Sequence, residues 1–232
     1  KRLSELNMGI ASTLLLFVFL AGPTAFFVNA FVDNIGSYLT HLPHHSFWTG
    51  TFSPPEEQAW LSSWTVFYWA WWIAWAPFVG MFIARVSRGR TIREFLTAVL
   101  LAPTLTGFIW LTVFGDAALH EEIYGAGGIA AAVSESLPTA IFVLLERYPF
   151  SGLTALACTI CVILFFVTSS DSASLVVDTI VSGGAENPPV RQRVFWAVFE
   201  GVVAAVLLFA GGLKALQTAA LTTALPFCIA II

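Results

Sequence analysis

This sequence has little charge. Of its 232 residues, 10 are Lys or Arg and 14 are Asp or Glu, so charged side chains make up 10%. A soluble domain carries about 25%, and the shortfall excludes a water-covered globule. A hydrophobic share of 58% excludes intrinsic disorder, and a net charge of −4 excludes a basic nucleic-acid-binding surface. Cysteine is scarcer still, at three residues. Cys158, Cys161 and Cys228 all sit in apolar runs, which excludes a secreted disulfide scaffold. Cys158 and Cys161 share a helix face but lack the second pair that zinc requires, so they read as packing residues. The chain also has no nucleophile–base pair, phosphate loop or HExxH motif, and no enzyme is expected. It has no signal-peptide layout, opens on Lys1 and closes inside an apolar run, 224–232. The expectation is a window cut from a longer polypeptide.

What fills the chain is apolar and aromatic. Mean hydropathy is +0.84, and 21 Phe and 9 Trp bring aromatics to 15%. A spanning helix needs about 20 mostly apolar residues. The runs between charges predict an all-α integral membrane protein with six transmembrane helices, the last truncated. They cover about 7–32, 59–84, 94–115, 149–178, 191–213 and 215–232, in one membrane domain fragment over 1–232. Two longer connections, 33–58 and 116–148, lie on one side. The first suits a segment lying along the membrane; the second holds Gly125, Gly127 and Gly128 and a helical stretch over 129–145, and reads equally as a lid or a connector. Lys1, Arg2, Arg85, Arg88, Arg90, Arg93, Arg191 and Arg193 fall on the other side, eight of the ten basic residues. That bias makes the Arg85–Arg93 and Arg191–Arg193 loops cytoplasmic and the protein a multi-pass plasma (inner) membrane protein.

Three polar features stand out. His41, His44 and His45 lie in the first long connection without an acidic supporting shell, and read as surface residues rather than metal ligands. Thr168, Ser169, Ser170, Asp171, Ser172 and Ser174 crowd the inner half of the fourth span. Hydroxyl and carbonyl oxygens are hard ligands for a small cation, but such residues also stitch membrane helices together. Glu200 stands inside the fifth span; pairing with an arginine such as Arg191 or Arg193 is the favoured expectation, and a gating or relay group the alternative.

The second span carries the strongest signal. Along 64–78 it reads Trp-Thr-Val-Phe-Tyr-Trp-Ala-Trp-Trp-Ile-Ala-Trp-Ala-Pro-Phe. At about 100° per residue, Tyr68, Trp71, Trp72 and Trp75 share one sector with Trp69 beside it. Interfacial belts explain Trp60 and Trp64, but not indoles at mid-span. Ring faces attract cations, and quaternary ammonium groups are held by aromatic cages; lipid-facing or packing aromatics remain the alternative. Pro77 breaks the helix near the same depth.

The run from Trp64 to Phe95 resembles the signature of the betaine/carnitine/choline transporter family, and the likeness extends from Lys1 to Pro188-Pro189. The resemblance implies a twelve-helix protein of two inverted five-helix repeats of the LeuT type, with this chain running from the seventh span into the twelfth. It implies that Trp71, Trp72 and Trp75 surround a trimethylammonium and that Trp69 lies on the access path. It further implies that Phe165, Thr168 and Ser169 bind sodium, and that Phe78 belongs to a second sodium site. The expected function is import of a quaternary-ammonium osmolyte (glycine betaine, choline or carnitine type), coupled to Na+, by alternating access. No other cofactor is expected; a homotrimer in the bilayer is a candidate assembly. Two alternatives stay open: an ion-independent exchanger of carnitine-like betaines, and a non-transporting osmosensor or betaine receptor.

Overall fold

A computed structural model describes residues 2–185 and 189–231, with backbone only at 85, 86, 230 and 231. Lys1, Pro188 and Ile232 lie outside the described residues, as does the side chain of Arg85. Every regular element described is helical. Among the described residues, five helices are long and apolar enough to cross a membrane.

The first is α1, Arg2–Ala21, followed after two residues by α2, Thr24–Phe47. No single helix covers 7–32; the chain turns at Gly22-Pro23. A Cβ on Gly22 would sit 2.9 Å from the Phe27 ring, the Tyr148 hydroxyl and the Val18 carbonyl, so only glycine fits that close approach. Pro23 lacks an N–H, yet its carbonyl accepts from Phe27 N at 3.1 Å, so it opens the next helix without losing a bond. Much of the expected loop 33–58 is helix α2, and His41, His44 and His45 lie on it.

Helix α3, Pro55–Leu61, passes through a π-helical turn, Ser62–Val66, into α4, Phe67–Val86. Glu56 and Glu57 lie in its first turn, where the helix dipole favours negative charge. Next comes α5, Ile92–Trp110, opened by a capping box in which Thr91 and Glu94 each accept the other's backbone N–H. A second π-helical turn, Leu111–Gly115, joins it to α6, Asp116–Tyr124.

The connection 116–148 is built rather than loose. It continues with α7, Ile129–Glu135, and α8, Ala140–Leu145; the helical stretch expected over 129–145 is interrupted around Pro138. The Glu122 carboxylate accepts from Ile129 N at 2.7 Å and Ala130 N at 3.2 Å, capping α7. Arg147 donates to the Gly127 carbonyl at 3.1 Å, and Gly128 takes φ 87°, a left-handed geometry that glycine adopts without strain.

The last helices are α9, Ser151–Val181, and α10, Val190–Ile231. The expected fifth and sixth spans both lie in α10, on either side of Gly211 (φ −161°, ψ 21°) and Gly212 (φ 64°, ψ −158°), where the backbone leaves helical geometry.

The chain forms two compact units. One, residues 2–46 and 90–168, buries Leu14, Val18, Phe27, Val113, Phe114, Leu144 and Leu145 with Trp110 and Tyr148 packed against them. Polar pins join its helices: Asn34 donates to Thr112 at 3.1 Å and to Asp116 at 2.7 Å, and the Cys161 thiol reaches Asn7 Oδ1 at 3.2 Å. Cys161 and Cys158 are thus buried packing residues. The other unit, residues 47–89 and 169–231, sets α10 against α4.

Candidate functional site

The aromatic face of α4 begins in the π-helical turn. Trp64 stacks on Tyr68 at 5.9 Å between centroids, and Tyr68 meets Trp71 edge-on at 5.7 Å. Phe67 approaches Trp71 at 5.9 Å. One turn further, Trp75 stacks on Phe78 at 5.6 Å, and Phe78 meets Phe227 of α10 at 6.3 Å. These contacts form two ladders rather than a closed box. Trp71, Trp72 and Trp75 make no ring contact with one another, and all three are exposed, Trp72 to 63%. Trp69 is exposed as well. Indoles at this density with open faces can receive a cation or an apolar surface. Pro77 offers no N–H to the Ile73 carbonyl one turn earlier, so that carbonyl lacks its usual helical donor.

On α9 the Thr168 hydroxyl lies 2.9 Å from the Leu164 carbonyl and 3.1 Å from the Phe165 carbonyl. Two of the three predicted cation ligands, Phe165 O and Thr168 Oγ1, are thereby within one coordination shell of each other. Ser169 follows on the same helix, exposed. The geometry is also that of a hydroxyl bonding back to its own helix; both readings use the same oxygens.

The inner half of α9 holds what sequence reasoning missed. Asp178 is 0% exposed, with Arg193 Nε 3.5 Å from its Oδ2. Gln192 donates to the Asp178 carbonyl at 3.3 Å. Glu200 does not pair with Arg191 or Arg193 as expected. Its Oε2 accepts from the Ser174 hydroxyl at 2.8 Å, and Arg193 goes to Asp178 instead. An Asp inside an apolar run was the signal available for Asp178.

The histidines of α2 stay close to one another, with His44 and His45 rings 5.3 Å apart and His41 Nδ1 2.9 Å from the Ser37 carbonyl. Among the described residues no three His, Cys, Asp or Glu side chains converge on a metal position.

The model of the betaine/carnitine/choline family transporters matches residues 1–232. An uncharacterized transporter of Mycobacterium tuberculosis is 50% identical over 100% of the chain and 39% of its own length. A glycine betaine/proline/choline transporter of Vibrio parahaemolyticus is 48% identical over 100% of the chain and 41% of its own length. The glycine betaine transporter OpuD of Bacillus subtilis is 45% identical, again over 100% of the chain, and 44% of its own length is covered. The chain therefore spans about two fifths of these relatives. A family match over every residue, with several helices long enough to cross a bilayer, makes this a multi-pass plasma-membrane protein of a transporter class rather than an enzyme. The chain belongs to the betaine/carnitine/choline transporter family.

Proposed function

We propose that the chain is part of a secondary transporter that imports a quaternary-ammonium osmolyte of the glycine betaine or choline type, driven by the sodium gradient. The carrying observation is the clustering of Trp71, Trp72 and Trp75 in one sector of a spanning helix, at mid-span rather than at its ends. A quaternary ammonium has no N–H to donate, so carboxylates are poor handles and ring faces are good ones. The names of the Vibrio and Bacillus relatives support the substrate class.

Sodium would be held by Phe165 O, Thr168 Oγ1 and Ser169 Oγ, hard oxygens from one turn of α9, with Phe78 beside a second ion. The 3.1 Å spacing of Thr168 Oγ1 and Phe165 O supports that set. In the bilayer the two parts of α10 would cross separately. A straight helix of 42 residues would run about 63 Å at 1.5 Å per residue, against a hydrocarbon core of about 30 Å. The break at Gly211-Gly212 would supply the turn, and with it the six crossings of a LeuT-type half. Alternating access then exposes the indole face to each side in turn.

The test is uptake of labelled glycine betaine and choline into proteoliposomes holding the full polypeptide, with and without an inward sodium gradient. Gradient-driven accumulation supports the proposal. Equal counterflow in sodium-free vesicles would instead identify an exchanger, and saturable binding without accumulation a receptor.

A further inference from the structure

The largest departure from ordinary membrane-helix chemistry is the polar seam between α9 and α10. Asp178 is fully buried, and among the described residues neither carboxylate oxygen has a hydrogen-bond donor; the guanidinium of half-exposed Arg193 at 3.5 Å compensates its charge. One turn earlier, the Ser174 hydroxyl holds Glu200 Oε2 at 2.8 Å, and Glu200 Oε1 is buried without a hydrogen-bond partner among the described residues. Ser174 and Asp178 stand at i and i+4 on α9, while Arg193 and Glu200 stand at i and i+7 on α10. Each pair lies on one helix face, and the pairing runs antiparallel.

Ser170 lies about 40° from Ser174 on the clasped side, but the Ser169 and Ser172 hydroxyls face elsewhere. From Ser169, Ser174 lies about 140° and Asp178 about 180° around the helix at 100° per residue. From Ser172 the same residues lie about 160° and 120° away. Helix α9 thus has two polar faces, one clasped to α10 and the other carrying Ser169.

We infer that Ser174 and Asp178 are positioning residues that fix the rotation and height of α9 and thereby aim the Ser169 hydroxyl. The inference rests on Ser169 as a cation ligand. The leverage is large: a side-chain atom about 5.5 Å from a helix axis moves about 2 Å when the helix turns by about 20°. Ion–ligand distances tolerate about 0.2 Å. The seam is also asymmetric. Removing Arg193 strands a buried charge, which is strongly disruptive, whereas removing Asp178 leaves a half-exposed guanidinium that can turn to water.

The test uses the full polypeptide with Cys158, Cys161 and Cys228 replaced and Ser169→Cys introduced. Arg193→Gln should change the rate at which a methanethiosulfonate reagent labels the new thiol by at least about threefold, and adding Asp178→Asn should bring it back within about twofold of the parent, as coupled neighbours do. With Ser169 intact, Arg193→Gln should raise the sodium concentration for half-maximal uptake about tenfold, and the double variant should recover it. A lower maximal rate with unchanged labelling and unchanged sodium dependence overturns the inference. If parental uptake ignores sodium, the ligand reading of Ser169 fails, while the labelling rates still decide whether the seam sets the rotation. Should Arg193→Gln fail to insert, Ser174→Ala removes one hydroxyl only; altered labelling of the thiol introduced at position 169 then supports the inference and unaltered labelling overturns it.

Discussion

Replacing Trp72 with leucine separates binding from folding better than any other change on α4. Its ring is 63% exposed and touches no other aromatic ring among the described residues, whereas Trp71 leans on Phe67 and Tyr68 at 5.9 and 5.7 Å. Leucine keeps an apolar side chain, so insertion and thermal stability should match the parent. What is lost is one ring face toward a desolvated ammonium, about 2 kcal/mol, or roughly a 30-fold weaker half-saturation. Trp71→Leu should weaken binding similarly, and should also lower stability by about 0.5–1.5 kcal/mol for each aromatic pair it breaks. The assay is labelled glycine betaine uptake across a concentration series, with equilibrium binding to the purified protein as a check that half-saturation reports affinity. An unchanged affinity in Trp72→Leu, in protein that inserts normally, would refute the cage. Loss confined to Trp71→Leu would show that the indoles act through packing.

Thr168→Ala should raise the sodium concentration needed for half-maximal uptake about tenfold or more, since it removes one of few hard oxygens; an unchanged sodium dependence would remove Thr168 from the ion site. Gly22→Ala should lower the melting temperature by several degrees, because its Cβ meets three atoms at 2.9 Å and overpacking costs about 1–3 kcal/mol; a fluorescence melt checks this. Glu122→Ala removes the cap of α7 and should speed proteolysis within 125–139, in line with about 1 kcal/mol for a lost cap. Burial first, and then the Glu121 carboxylate, hold the Tyr148 phenol above its ordinary value of 10.0. The unfolded chain therefore loses that proton first, so stability is intact below pH 10.0 and falls as pH rises past it. Tyr148→Phe should flatten that alkaline loss in a pH series of melts.

The crossing segments were legible because a membrane helix announces itself by missing charge, which needs no knowledge of packing. The interruptions were not. Gly22-Pro23 was visible as a turn signal, but long apolar runs on both sides read as one span of 7–32. The reason glycine is required there lies 126 residues away, at the Tyr148 hydroxyl. The π-helical turns at Ser62–Val66 and Leu111–Gly115 leave no compositional mark, although the second orders Thr112 and Asp116 toward Asn34. Glu200 illustrates a different failure. Sequence proximity offered two arginines, but helix register gave Arg193 to Asp178 and left Glu200 to a hydroxyl 26 residues back.

The same limit decides how much the exposed indoles signify. In water, an uncovered face of Trp71, Trp72 and Trp75 would itself mark a binding surface; in a bilayer, lipid solvates aromatic rings, so exposure alone separates nothing. What separates a site from a lipid-facing stripe is polarity at the same level, because hydrocarbon leaves a free acceptor unsatisfied. Pro77 creates that acceptor at Ile73 O, between Trp72 and Trp75 in sequence. A carbonyl stripped of its helical partner is tolerable where it meets a ligand, water or another helix, and costly against lipid tails. That cost turns the Ile73 side of α4 toward an interior; at about 100° per residue Trp71 and Trp75 lie about 160°, and Trp72 about 100°, around the helix from it, so this carbonyl alone does not orient the indole face.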